Sequence, residues 1–346
     1  MPARLLVFGP SWLGDAVMAI PTYRALHDAF PDAHLAVLAR GPVADLYRAV
    51  PFVDEVVPYR RPKGWKRIGA FTDLVGRLQA LRADTAVILP RSFGAAWTAL
   101  LADIPRRIGY ASSGREWMLT DAVTRDPSLL LTHRVHYLQH LLTPLGITPT
   151  PEAPLLEVPP DDLASTDVLL APLSDRRRLI GFNPGANYGG AKQWPEERYA
   201  ELARELLTDE DVGIVLVGAP GDHPVCNRIV HAIGDPRVLD LSGKTTVCEL
   251  AAVLDRCEYT VSNDTGAMHV AAAVDTPIIA IFGPTDPVTT PPYGERHTII
   301  RELVECAPCL LRECPIDHRC MQRVDTERVL VACQRQAAKR EGGNAG

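Results

Sequence analysis

No apolar run in this 346-residue sequence reaches the roughly 18 residues that a membrane-spanning helix needs. The start, Met-Pro-Ala-Arg-Leu-Leu-Val-Phe-Gly-Pro, holds too short a hydrophobic stretch for a signal peptide before a glycine turn intervenes. Nucleotide-binding signatures are missing as well. Gly9 and Gly14 have the spacing of a phosphate loop, but no Lys-Ser/Thr pair follows, and the dinucleotide pattern Gly-x-Gly-x-x-Gly is absent. Gly243-Lys244-Thr245-Thr246 fails as a triphosphatase loop, because Val238 stands where that motif needs glycine. Asp209-Glu210-Asp211 imitates the metal-binding Asp-x-Asp of some sugar transferases. It precedes a strand, at the wrong edge of a sheet, and reads as a solvated helix end. A cytosolic protein is expected, in which the eight cysteines are thiols or metal ligands rather than disulfides.

What is present is ordinary for a globular chain: 47% apolar and 23% charged residues, which excludes disorder, collagen and coiled coil as the main architecture. At roughly 150 residues per domain, two domains are expected. Charge divides unevenly. Residues 1–125 carry 16 Lys+Arg against 11 Asp+Glu, a net +5, whereas the remainder carries 20 against 31, a net −11. The first half suits an anionic partner. The second must hold any anion with a few placed groups.

Short apolar runs alternate with helical periodicity. Arg4–Gly9, His34–Ala39, Glu55–Pro58 and Thr85–Pro90 read as strands, with helices at Ala16–Phe30, Val43–Ala49 and Thr72–Arg82. Prolines 149, 151, 154, 159 and 160 mark an inter-domain connection at about 149–175. The pattern then restarts. Strands are expected at Leu179–Asn183, Gly213–Gly218, Val238–Leu241, Tyr259–Ser262 and Pro277–Phe282. Helices are expected at Pro195–Leu207, Pro224–Ile233, Val247–Asp255, Gly266–Ala273 and Asp325–Cys333. The expectation is two doubly wound α/β domains, 1–160 and 161–335, followed by a disordered tail at 336–346. Ligands of such sheets sit beyond the carboxyl ends of the strands.

Loops rich in small and polar residues stand at that edge. Asp15 closes the first, where it is either a first-turn carboxylate favoured by the helix dipole or a general base. The 183–194 loop places backbone amides and Lys192 before a helix, a combination suited to phosphate. Asn263-Asp264-Thr265-Gly266 closes a strand and opens a helix that carries His269. This is a second anion cradle, although capping and a core histidine explain the same residues.

Three ordered segments resemble glycosyltransferase family 9. They are Gly9-Pro-Ser-Trp-Leu-Gly-Asp15, the Pro184–Pro195 segment Pro-Gly-Ala-x-Tyr-Gly-x-Ala-Lys-x-Trp-Pro, and Ser262-Asn-Asp-Thr-Gly-Ala-Met-His269 with Ile281-Phe-Gly-Pro-Thr-Asp-Pro287. Leu89-Pro-Arg-Ser-Phe93 and Ile104-Pro-x-Arg-x-Gly109 extend the match, which runs over about residues 4–333. The resemblance implies a GT-B fold of two Rossmann-like domains, with acceptor on the first and ADP-heptose on the second. It also implies inverting, metal-independent heptosyl transfer to a heptosyl–Kdo–lipid A core, with no cofactor. By resemblance Asp15 is the base and Lys192 the phosphate-binding lysine. Asn187, Tyr188, Asp264, Thr265, Gly266 and His269 line the donor site, while Asp222, Lys244 and Thr245 fall near the nucleoside in loops that diverge from the family.

Other clusters stay open. Cys306-x2-Cys309-x4-Cys314-x5-Cys320 approaches metal-ligand spacing without matching a standard zinc pattern, so structural zinc, iron–sulfur, free thiols and a bridge all remain. His133, His136 and His140 share a helical face but have no carboxylate or cysteine nearby, and read as solvated or core histidines. Arg60, Arg61, Lys63, Trp65, Lys66 and Arg67 form a basic loop. It is either solvated or faces a phosphorylated lipid acceptor at the inner membrane surface; the acidic chain has no nucleic-acid signature. The alternatives in function are another family 9 transferase, adding the first or third heptose, a two-domain nucleotide-dependent oxidoreductase, and a non-catalytic nucleotide sensor.

Overall fold

The computed structural model describes residues 2–60, 62–64 and 66–343. The chain forms two compact units, Met1–Glu157 and Val158–Gly346. Arg61 and Trp65 lie outside the described residues, as does the side chain of Arg67.

The first unit is a six-stranded parallel sheet. Its strands are β1 (Arg4–Phe8), β2 (His34–Arg40), β3 (Glu55–Tyr59), β4 (Thr85–Ile88), β5 (Arg106–Tyr110) and β6 (Asp121–Val123), in the order β3-β2-β1-β4-β5-β6. The central strands β1, β2 and β4 are near-continuous apolar runs because helices cover both faces of the sheet. These are α1 (Leu13–Met18), α2 (Ile20–Ala29), α3 (Val43–Leu46), α4 (Lys66–Ala80), α5 (Phe93–Leu101) and α6 (Arg134–Gln139). The single helix expected over Ala16–Phe30 is broken at Ala19. Pro21 lacks the N–H that would continue the ladder, and instead sits in the first turn of α2. The basic loop is shorter than expected, since Lys66 opens α4.

The second unit repeats the plan with β7 (Arg178–Asn183), β8 (Val212–Leu216), β9 (Val238–Asp240), β10 (Tyr259–Asn263), β11 (Ile278–Phe282) and β12 (Thr298–Arg301), ordered β12-β11-β10-β7-β8-β9. Counted from its own first strand, this is the arrangement of the first unit. The order therefore reverses between β1 and β4 in one sheet and between β7 and β10 in the other. Its helices are α7 (Pro160–Leu169), α8 (Glu196–Leu206), α9 (His223–Ile233), α10 (Val247–Asp255), α11 (Gly266–Ala273), α12 (Arg319–Gln322) and α13 (Thr326–Gly343).

Three expectations are corrected here. The proline-rich connection does not extend to 175, because Pro159 caps α7 and Pro160 occupies its first turn, where no N–H is needed. Pro195 precedes α8 as its cap rather than starting it. The tail expected at 336–346 is helical through Gly343. Val329, Ala332, Cys333 and Gln336 form a buried stripe that holds α13 in place.

Candidate functional site

In the first unit a cleft of about 1060 Å³ opens at the carboxyl edge of the sheet, beside the β1/β4 reversal. Gly9, Pro10, Ser11, Trp12 and Asp15 form one wall, following β1; Arg91, Ser92 and Trp97, following β4, form another. Gly9 is required by packing: a Cβ there would meet the Tyr47 hydroxyl and the Leu38 carbonyl. Asp15 lies in the first turn of α1, half-buried, with one carboxylate oxygen 3.4 Å from Arg134 Nε. Arg134 in turn lies over the Tyr137 ring. Arg134 escaped the sequence reading because 119 residues separate it from Asp15 and only the packing of α6 against α1 and α2 joins them.

Arg40, Arg60 and Arg91 also line the cleft, and all three are exposed. Lys63 and Lys66 are exposed. The 90–92 turn is held from behind by Arg115, which is fully buried and donates to the carbonyls of Pro90, Ser92 and Tyr110. Burial lowers the Arg115 pKa from its ordinary value. Of the three histidines, His133 caps α6 through Nδ1 and His140 stacks on Tyr110, so both serve packing.

In the second unit the loops following β7 and β10 converge at the other reversal. Lys192 Nζ donates to Asp264 Oδ2 at 2.5 Å and to the Asp264 carbonyl at 3.3 Å. The Thr285 hydroxyl donates to the same carboxylate oxygen at 2.7 Å, and Lys192 lies 5.0 Å from the Tyr188 ring centroid. Thr285 stands in the recognised Gly-Pro-Thr-Asp-Pro string, yet nothing local assigned it a partner. Thr265 Oγ1 accepts from Asn183 Nδ2 at 2.6 Å instead of capping α11, whose first turn carries no acid. The two helix N-termini therefore differ. Glu196 and Glu197 occupy the first turn of α8 and already complement its dipole, so α11 is the better anion cradle. His269 is buried in α11, and Asn187 is exposed.

Asn263 is fully buried and organises this crevice. Its carbonyl oxygen accepts from Trp194 N–H and Tyr199 O–H, while its amide donates to the carbonyls of Pro184 and Gly185. Asp222 packs against Gly185, where any Cβ would overlap its carboxylate. Burial raises the Asp222 pKa, opposed by hydrogen bonds from the Ala219 and Ala186 amides. Lys244 donates to the Asp240 carbonyl at 2.7 Å, and Thr245 is half-buried. Asp209 pairs with Arg178 and Asp211 with Arg177, ahead of β8 at the opposite edge.

The cysteine-rich segment buttresses the 183–194 loop. Tyr188 O–H donates to the Leu310 carbonyl, Ala191 N–H to the Arg312 carbonyl and Gly190 N–H to Glu313, and His318 Nε2 lies 2.7 Å from the Ala191 carbonyl. Cys306 and Cys309 are exposed, Cys314 half-buried and Cys320 buried, all as thiols. Desolvation raises the Cys320 pKa, with the neighbouring Cys306, Cys309 and Cys314 adding to the effect. Among the described residues no group of three or more His, Cys, Asp or Glu side chains is arranged to hold a metal ion. Among them, too, no helix is long and apolar enough to cross a membrane.

The profile of glycosyltransferase family 9 (heptosyltransferase) matches residues 71–319. A lipopolysaccharide heptosyltransferase 2 of Salmonella typhimurium is 35% identical over 309 residues, covering 86% of this chain and 88% of that protein. Its counterpart in Escherichia coli is 34% identical over 307 residues, with the same coverage. The structure of E. coli ADP-heptose LPS heptosyltransferase II superposes with a TM-score of 0.85 at 31% identity, covering 98% of this chain and 99% of that one. The two doubly wound units are those of the GT-B fold. The chain belongs to glycosyltransferase family 9, the heptosyltransferases.

Proposed function

We propose that this enzyme transfers L-glycero-D-manno-heptose from ADP-heptose to the first heptose of a Kdo–lipid A inner core, adding the second heptose during lipopolysaccharide core synthesis. The observation that carries this reading is Lys192, held at the β7/β10 reversal beside the amides of α11 and the 183–191 loop. A diphosphate needs that arrangement, and the identity to two heptosyltransferases 2 indicates which sugar nucleotide brings it.

In this mechanism the first unit binds the acceptor and the second the donor. Asp15 accepts the proton of the acceptor hydroxyl as its oxygen attacks the anomeric carbon from the face opposite ADP. The anomeric C–O bond to the diphosphate breaks, and its electron pair leaves with ADP. Lys192 and the α11 amides stabilise that charge, which is greatest in the transition state. Arg134 holds the Asp15 carboxylate at the cleft wall. Thr265, Gly266 and His269 belong to the donor crevice, with Asp222, Lys244 and Thr245 towards the nucleoside. Arg40, Arg60 and Arg91 supply charge for an acidic, phosphorylated acceptor, and the enzyme works at the cytoplasmic face of the inner membrane as a peripheral protein.

The test is product analysis with ADP-heptose and lipid A cores carrying zero or one heptose. Transfer only to the one-heptose core is expected. Transfer only to the core without heptose would assign the chain to first-heptose addition instead.

A further inference from the structure

The first unit carries an apolar face that extends beyond the cleft used in the transferase mechanism. Phe93, Trp97 and Leu101 recur at every fourth position along α5, a single stripe on that helix. Phe93 and Trp97 stack with ring centroids 6.4 Å apart, and Trp117 meets Trp97 edge-on at 6.2 Å. These rings are not core: Phe93 is 46% exposed, Trp97 37% and Trp117 65%. Ile68, on α4, is 74% exposed and lines the same cleft as Trp97. The apolar face therefore runs into the cleft, which the exposed Arg40, Arg60 and Arg91 also line. Contiguous exposed aromatics mark interaction surfaces.

We propose that the Phe93–Trp97–Trp117 face is a docking surface for an anionic lipid bilayer. Indole rings favour the boundary between headgroups and acyl chains. A short apolar stripe flanked by lysine and arginine is the arrangement that binds such a boundary, with the basic residues drawn to anionic headgroups. The charge distribution agrees, since residues 1–125 are net positive and the rest of the chain net negative. Glu116 and Asp103 are the acids adjoining the face in sequence. The inference rests on the reading of a lipid-linked acceptor: docking here would bring the cleft mouth to the plane in which that acceptor lies.

The experiment uses the full chain and vesicles of phosphatidylglycerol and phosphatidylethanolamine without acceptor, against phosphatidylcholine vesicles. The parent enzyme is expected to co-sediment with the anionic vesicles, less so as salt rises, and the double variant Phe93→Ser/Trp117→Ser to lose at least tenfold in binding. Neither residue lines the cleft, so the variant's rate on a deacylated, water-soluble acceptor should equal the parent's. That rate also reads the transferase assignment separately from docking. Brominated lipid should quench parent tryptophan emission more than that of Trp117→Phe, a readout in a variant that keeps an aromatic ring. Absence of parental binding to anionic vesicles, or undiminished binding by the double variant, overturns the proposal. A variant that still binds vesicles but fails on acylated acceptor in detergent also overturns it and assigns the face to the acceptor's acyl chain. A variant that changes only the oligomeric state assigns it to a second copy.

Discussion

The Lys192 ammonium meets the Asp264 carboxylate at 2.5 Å across 72 residues of chain, and Thr285 donates to the same oxygen. Both side chains are largely withdrawn from water, so the pair is held where neither charge is fully screened. A lysine fixed this way would meet the diphosphate of the proposed donor without losing the freedom of a long side chain.

Lys192→Ala should therefore weaken ADP binding at least tenfold and lower turnover by more, on the order of 10²-fold, since the leaving group gains charge in the transition state. It also leaves Asp264 buried with Thr285 as its neutral partner, at a cost of about 1–3 kcal/mol. Calorimetry with ADP, steady-state rates and thermal denaturation report the three effects. Unchanged ADP affinity with unchanged turnover would remove Lys192 from the donor site.

Asp15→Asn keeps the shape of the side chain and removes the carboxylate proposed as proton acceptor. Turnover should drop by about 10²–10⁴-fold, while ADP-heptose affinity stays within about twofold, because Asp15 lies in the first unit and the donor is proposed for the second. Near-parental turnover would show that another group takes the proton.

Asn263→Ala removes four hydrogen-bond partnerships at once, leaving Trp194 N–H and the carbonyls of Pro184 and Gly185 to find others and Tyr199 O–H with the Asn183 carbonyl alone. Destabilisation of about 2–4 kcal/mol is expected from several buried groups losing partners together. ADP affinity should fall as the 184–194 loop loosens. An unaffected melting temperature would show that these bonds are readily replaced.

Asp121 accepts from both Arg106 Nε and Nη2, and this pairing is the main reason its pKa lies below the ordinary aspartate value. A depressed folded pKa stabilises above the unfolded pKa, and the gain is lost as pH falls through the folded value. Asp121→Asn should thus cost about 0.5–1 kcal/mol at pH 7, a figure reduced by the partial exposure of Arg106. The difference between parent and variant should close as pH falls below about 4. Urea titrations at several pH values measure it, and a gap independent of pH would trace the effect to shape rather than charge.

Transfer should proceed in excess chelator, with Lys192 and the α11 amides supplying the positive charge. EDTA at short times, with circular dichroism confirming the fold, is the test. A folded enzyme inactive in EDTA and restored by one equivalent of a divalent ion would refute a metal-free mechanism.

Much of the crevice at the β7/β10 reversal was legible. Asp264, Thr265 and Lys192 stand in strings whose glycines, amides and helix start point to anion binding from the residues alone. Their partners were not. Asn183 and Asn263 become bonding groups only when β7 and β10 pair, and Thr285 only when β11 pairs with β10. Arg134 and Arg115 have no local signature, since a guanidinium's target depends on which carbonyl or carboxylate the fold brings beside it. β5, β6 and β12 also went unread: each is short, and β5 and β6 begin with polar residues, so neither period nor hydrophobicity marks them.

Local sequence by itself determined the alternation of strand and helix, the division into two α/β units and the glycine-rich turns. Those depend on hydrophobic period and on backbone freedom within a few residues. Tertiary structure alone decided the strand order, hence which loops meet at each reversal, and with it the partnering of Lys192 with Asp264 and of Asp15 with Arg134. It also decided that Phe93 and Trp97 stay exposed on an apolar helix. Contacts across 72 and 119 residues follow from how the sheets assemble, and the spacing of residues along the chain carries no record of that.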